Sequence, residues 1–210
     1  MKDYLTQRNL PHIFIIAEQE QGSLLFNRGA ILNFGFVFSF SMCDYVVFHD
    51  VDYIPLQRMP IPYGFPPQPT HLSTNDHLND PESSVGGVFL TQSQHQLLCG
   101  GWSNLYWSWG AEDTDMFNRV KLSPLKIVKI PTTIGQYRQL RHPRGNKTIT
   151  ENAHPQLLRN NSTVARLVHG EIDPHREGLG SLNGTILQIV ENRADYIRVL
   201  FRIHNRDNLV

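Results

Sequence analysis

The apolar run Tyr45-Val46-Val47-Phe48 stops at His49-Asp50-Val51-Asp52, so two carboxylates one residue apart stand just past the end of a buried strand. That pair suits a hard divalent cation, Mn²⁺ or Mg²⁺, bound to a diphosphate. Such a cation neutralises charge that builds on a leaving phosphate. The same tripeptide also makes an ordinary acidic turn, and it is too short to decide alone. A second cluster is Trp107-Ser108-Trp109-Gly110-Ala111-Glu112-Asp113-Thr114-Asp115. Acids at the mouth of a helix can hold sugar hydroxyls or take a proton, and the tryptophans can stack on the apolar face of a sugar ring. Equally, first-turn acids beside core aromatics need no ligand. Arg141, His142 and Arg144 form a third group; cations suit a diphosphate and His142 a metal, while a solvated basic loop has the same composition. The fourth is Phe26-Asn27-Arg28, where a helix N-terminus plus an arginine favours an anion or simply caps a surface helix.

The elements that must position these groups follow from hydrophobic patterning. His12–Ala17 reads as a buried strand, Asn27–Phe38 as a helix with Ala30, Ile31, Phe34 and Val37 on one face, and Asp44–Phe48 as a second buried strand. Strand, helix, strand predicts a βαβ unit whose parallel strands belong to an α/β sheet, and ligands of open α/β sheets sit beyond the carboxyl ends of the strands. Residues 56–83, with prolines crowding 55–69, predict a long surface excursion. Val85–Leu90 resumes strand character behind the glycine pair Gly86-Gly87. Short helices are predicted over 93–98 and 112–121, and a strand over 126–130. The polar stretch 145–184 reads as loop, and the alternating segments 185–190 and 196–203 as a closing hairpin.

Composition narrows the function classes. The 210 residues fit one domain, and a hydrophobic fraction of 40% fills one core. Lys+Arg and Asp+Glu are both 19, with no basic stripe, so nucleic acid is not a predicted partner. No apolar run reaches the 18 or so residues of a membrane-spanning helix. Cys43 and Cys99 allow one disulfide or two thiols. Asn146, Asn160, Asn161 and Asn183 head glycosylation sequons, and those at 160 and 161 overlap. A metal-dependent hydrolase using His49, Asp50 and Asp52 is a further reading, but the tryptophans and glycine pair fit a sugar site better.

Taken together, Phe26–Phe36, Phe48–Pro55, Val85–Val88, Tyr106–Val120 and Tyr137–Arg144 resemble, in order and spacing, the β-1,4-galactosyltransferase family, with Tyr63–Pro66 and Cys99–Asn104 most similar to its xylosylprotein branch. The resemblance implies an α/β domain over 1–210: a GT-A type, Rossmann-like mixed sheet flanked by helices. It implies inverting transfer of galactose from UDP-galactose to a xyloside or N-acetylglucosaminide, with Mn²⁺, in the Golgi lumen. Asp52 and His142 would be metal ligands. Phe26, Asn27, Arg28, Asp50, Val51, Asp52, Gly86, Gly87, Trp109, His142 and Arg144 would line the donor site. Asp113 would be the general base, Glu112 would hold sugar hydroxyls, and Ala111, Glu112, Asp113 and Thr114 would face the acceptor. Segment 107–115 would close over the donor. The family's first strand and uridine-binding turn would precede Met1. Thr114 replaces an acceptor-side carboxylate. Ser84 replaces a tyrosine that limits the donor's C2 group, which implies UDP-N-acetylgalactosamine as an alternative donor. Gln139 stands where one branch has a methionine ligand, and Arg144 where another has a histidine. A non-catalytic UDP- or sugar-binding relative is the reading from a different class.

Overall fold

The computed structural model describes residues 1–22, 25–74, 83–108, 110–140 and 159–204. In chain order the elements are α1 (Lys2–Thr6), β1 (Phe14–Gln19), α2 (Arg28–Ser39), β2 (Tyr45–His49), β3 (Tyr53–Pro55), β4 (Thr70–His71), β5 (Val88–Gln92), α3 (Ser93–Leu98), α4 (Glu112–Leu122), β6 (Val128–Lys129), β7 (Tyr137–Gln139), α5 (159–168), β8 (Gly184–Asn192) and β9 (Tyr196–Ile203). Three sheets result: β1-β9-β8, β2-β5-β4-β6, and the ribbon β3-β7. β1 runs parallel to β9, and β4 parallel to β6; the other pairs are antiparallel.

Helix α2 links the two larger sheets. Its Ala30, Ile31 and Phe34 pack on Ile197, Val199 and Phe201 of β9, while Phe36 turns toward Phe48, Phe89, Trp102, Met116 and Phe117. A third cluster, with Tyr4, Tyr53, Ile61, Tyr63, Leu72 and Leu90, fills the space under β3 and β5. Dry contact among side chains of this size, rather than hydrogen bonding, supplies most of the stabilisation.

The other anchor is polar. Arg119 on α4 is fully buried and pairs with Asp115 one turn earlier and with Glu177, while its Nη1 donates to the carbonyls of Gly101 and Pro174. The Tyr106 hydroxyl donates to Asp115 at 2.7 Å, and Glu177 accepts from the Asn104 amide at 2.6 Å. One guanidinium therefore ties α4, the 101–106 loop and the 173–178 segment together before the acids at the helix mouth are placed.

The structure corrects three expectations. β1 and β2 lie in different sheets, so the predicted βαβ unit is not a pair of neighbours: β1 takes β9, from the far end of the chain, as its parallel partner. The predicted surface excursion over 56–83 holds only in part: Gln57, Arg58, Pro60, Pro62 and Phe65 are exposed, but 69–74 are buried. Ile61, Tyr63, His71, Leu72 and Ser73 are buried, with Ile61, Tyr63 and Leu72 packed in the core. The predicted loop 145–184 contains α5, whose Leu167 is buried. Cys43 and Cys99 are free thiols.

Candidate active site

Arg28 opens α2 where it does because Asn27 caps the helix: the Asn27 Oδ1 accepts from the Ala30 amide at 2.9 Å, and its Nδ2 donates to the Asn104 carbonyl at 2.7 Å. Gly29 lets the helix start press against the 102–106 loop, since a Cβ there would stand 2.0 Å from the Ser103 carbonyl oxygen. The Arg28 guanidinium is thereby aimed across the molecule. It donates to Asp113 Oδ1 at 2.6 Å and to Asp50 Oδ1 at 2.7 Å, lies 3.5 Å from Glu112 Oε1, and rests over the Trp102 ring at 5.3 Å. Four segments distant in sequence thus meet on one cation.

Each carboxylate has its own support. The Asp50 amide donates to the Gly87 carbonyl at 2.9 Å, and the Tyr53 amide closes the turn onto the Asp50 carbonyl at 3.1 Å. Val51 at the tip is 95% exposed. The Asp52 carbonyl accepts from the Leu140 amide at 2.7 Å, and its carboxylate accepts from Gln139 Nε2 at 3.0 Å, an approach set by the β3-β7 pairing. Beneath the turn, His49 Nδ1 contacts the Asp50 carbonyl at 2.8 Å and its ring stacks on Tyr63, whose hydroxyl lies 2.7 Å from that of Tyr137. Burial lowers the His49 pKa.

The electrostatics are unusual. Three carboxylates share one guanidinium in a mostly enclosed space. Burial, reinforced by the neighbouring Asp113 charge, pushes Glu112 up to about 7 against the pull of Arg28. Burial also raises Asp113, opposed first by Arg28. Glu112 Oε2 is buried with no hydrogen-bond partner among the described residues, which marks it as an acceptor awaiting a donor. Arg28, held by three anions, stays protonated.

Of the residues predicted from sequence, Arg28, Asp50, Glu112 and Asp113 converge directly. Gly86 and Gly87 lie behind Asp50, and Asp52 faces Gln139. Asn27 is fully buried as a helix cap, and Phe26 is exposed, its carbonyl accepting from the Ser108 amide at 2.7 Å. Ala111 precedes α4 with φ +75°, and Ser108 at +69° and Gly110 at +106° are left-handed too, so three residues just ahead of the acidic turn take positive φ. Thr114 is half-buried in the first turn of α4, and Ser84 is buried with its Oγ accepting from the Gly86 amide at 3.2 Å. Trp107 packs against the α2–β9 cluster. Trp109, His142 and Arg144 lie outside the described residues. Sequence reasoning missed Trp102 as the platform under Arg28, because nothing in Gly101-Trp102-Ser103 distinguishes it from core.

The sheets and the flanking helices match a GT-A glycosyltransferase fold. Across 99% of this chain and 87% of the other, the structure aligns with the catalytic domain of Drosophila β-1,4-galactosyltransferase 7 in complex with xylobiose, at a TM-score of 0.78 and 24% identity. A mutant of the same protein in complex with manganese, UDP-Gal and xylobiose aligns over the same shares at a TM-score of 0.77 and 23% identity. A family profile described as the N-terminal domain of galactosyltransferase matches residues 70–143. In sequence, human β-1,4-galactosyltransferase 7 is 34% identical over 145 residues, 68% of this chain and 44% of the relative. Human β-1,4-galactosyltransferase 1 is 32% identical over 183 residues, 84% of this chain and 43% of the relative. The Drosophila β-1,4-galactosyltransferase 7 is 28% identical over 196 residues, 90% and 57%. The chain is a homologue of the β-1,4-galactosyltransferases, and it spans about half the length of the curated relatives it matches.

Proposed function

We infer that this chain carries the catalytic site of an inverting, metal-dependent hexosyltransferase moving galactose from UDP-galactose to a sugar hydroxyl in β-1,4 linkage. The observation that carries the reading is Arg28, which binds the Asp50 carboxylate with one arm and Asp113 with the other. Donor-side and acceptor-side acids are thereby held a guanidinium's width apart.

The residues present fit a hard cation. Asp52 lies at a turn facing the Gln139 amide, so carboxylate and amide oxygens are the donors at hand. Among the described residues no group of three or more His, Cys, Asp or Glu is arranged to hold a metal ion, and His142 lies outside them. Mn²⁺, which a structural neighbour binds together with UDP-Gal, would be held by Asp52 with His142 and would neutralise charge on the departing diphosphate. The remaining work falls to this chain's own side chains. Asp113, raised by burial, takes the proton of the acceptor hydroxyl as that oxygen attacks the anomeric carbon and the bond to UDP breaks. The buried Glu112 Oε2 accepts from a sugar hydroxyl. Ala111 and Thr114 flank the acceptor approach, and the left-handed Ser108, Gly110 and Ala111 belong to a segment that can close over the donor and exclude water. Xylobiose in both structural neighbours supports a xyloside acceptor. UDP-N-acetylgalactosamine as donor is a second reading, favoured by the small buried side chain of Ser84 beside the glycine pair. A Golgi-lumen location rests on the homology. Among the described residues no helix is long and apolar enough to cross a membrane.

The test is UDP release. With Mn²⁺ and UDP-galactose, the folded protein liberates UDP when a β-xyloside or N-acetylglucosaminide is added. No release with any sugar nucleotide and acceptor overturns the enzyme reading.

A further inference from the structure

Behind the donor face, two buried side chains meet at one backbone oxygen. His71 on β4 and Ser73 just beyond it are 0% and 1% exposed. His71 Nε2 lies 2.8 Å from the Gly86 carbonyl oxygen, and the Ser73 hydroxyl donates to the same oxygen at 2.9 Å. The hydroxyl also accepts from the Val88 amide at 2.8 Å. Since Ser73 gives its only proton to Gly86, and that oxygen has two lone pairs to offer, His71 Nε2 must be the second donor. The arrangement spans Gly87. That residue takes φ +84° and has no room for a side chain, because a Cβ would stand 2.4 Å from the Ser73 hydroxyl and 2.9 Å from the Tyr53 ring. A left-handed residue interrupts the ladder where β5 should begin, and the hydroxyl and imidazole take over the bonds that a regular strand would have made. The consequence reaches the active site, because the carbonyl of Gly87 is the acceptor for the Asp50 amide at 2.9 Å.

We propose that His71 and Ser73 are positioning residues: by clamping the Gly86 carbonyl they fix the Gly86-Gly87 turn, and through it the Asp50 carboxylate that orients Arg28 and Asp113. The functional half of the proposal rests on the donor-site reading above, and the structural half does not. His71 also lies close enough to Asp113 for its field to favour the ionised carboxylate, the least of the influences on that group after burial, which raises it, and Arg28, which lowers it.

The test combines hydrogen exchange with calorimetry on Ser73→Ala, His71→Leu and His71→Gln. Ser73→Ala and His71→Leu should each speed exchange at the Val88 and Asp50 amides tenfold or more, leave β9 amides unchanged, and weaken UDP binding with Mn²⁺ about tenfold. His71→Gln, whose amide nitrogen can reach the same carbonyl, should restore most of both. Unchanged Asp50 exchange in a folded Ser73→Ala or His71→Leu protein overturns the clamp, as does a His71→Gln variant no better than His71→Leu. If Ser73→Ala does not fold, the two His71 variants decide alone. A wild-type chain that binds no UDP refutes the donor-site reading, while the exchange rates still score the clamp.

Discussion

Replacing Glu112 by Gln should make the ligand-free protein more stable at alkaline pH. Glu112 is buried, its Oε2 has no hydrogen-bond partner among the described residues, and its Oε1 is 3.5 Å from an Arg28 already paired to Asp50 and Asp113. Its pKa is pushed from an ordinary 4.5 to about 7. The folded state therefore holds a proton that the unfolded chain releases near pH 4.5. Between those values the native state binds more protons, so stability falls as pH rises from 4.5 through 7 and stays low above. At 1.36 kcal/mol per pH unit the gap is worth roughly 3 kcal/mol, and relaxation around the charge should reduce it to about 2. Glu112→Gln keeps the shape and removes the charge. In a domain of this size about 2 kcal/mol corresponds to a melting temperature higher by roughly 4–8 °C. Thermal unfolding at pH 8 should show that gain, and at pH 4.5 the two proteins should melt together. A Glu112→Gln protein that melts lower at pH 8, or shows the same difference at both pH values, refutes the assignment of Glu112 as a strained buried acid.

Arg119→Met leaves Asp115 and Glu177 without their cation in the interior, which should destabilise by about 3–5 kcal/mol, read as a lower urea midpoint. Asp52→Ala should abolish metal-dependent UDP binding in calorimetry while leaving the melting temperature within a few degrees, because Asp52 is half-buried at an edge turn; an unchanged binding isotherm removes it from the metal site.

The strong periodic elements were legible in the sequence. α2 and α4 match their predicted spans closely, and the closing hairpin pairs as β8 and β9. The ribbon β3-β7 was not, since three-residue strands carry no periodicity, yet it is what brings Gln139 to Asp52. The described part of α5 includes Arg159-Asn160-Asn161-Ser162-Thr163, a composition typical of loops, and its helical state depends on tertiary packing. The buried Ile61, Tyr63 and Leu72 fall in a proline-crowded segment that shows no strand alternation. The site itself was legible only through the family resemblance: Arg28 meets Asp50 across 22 residues and Asp113 across 85, and no spacing rule spans such separations. What the residues alone offered were two acidic segments and a capped helix. That one guanidinium joins them is a property of the fold.

The central claim is that Asp113 accepts the acceptor's proton in a site otherwise built for the donor. Turnover of UDP-galactose with a β-xyloside and Mn²⁺, compared between wild type and Asp113→Asn alongside UDP affinity for each, tests it most directly. The account predicts similar UDP affinity and a kcat lower by about two decades or more in the variant; turnover within a fewfold of wild type would contradict it.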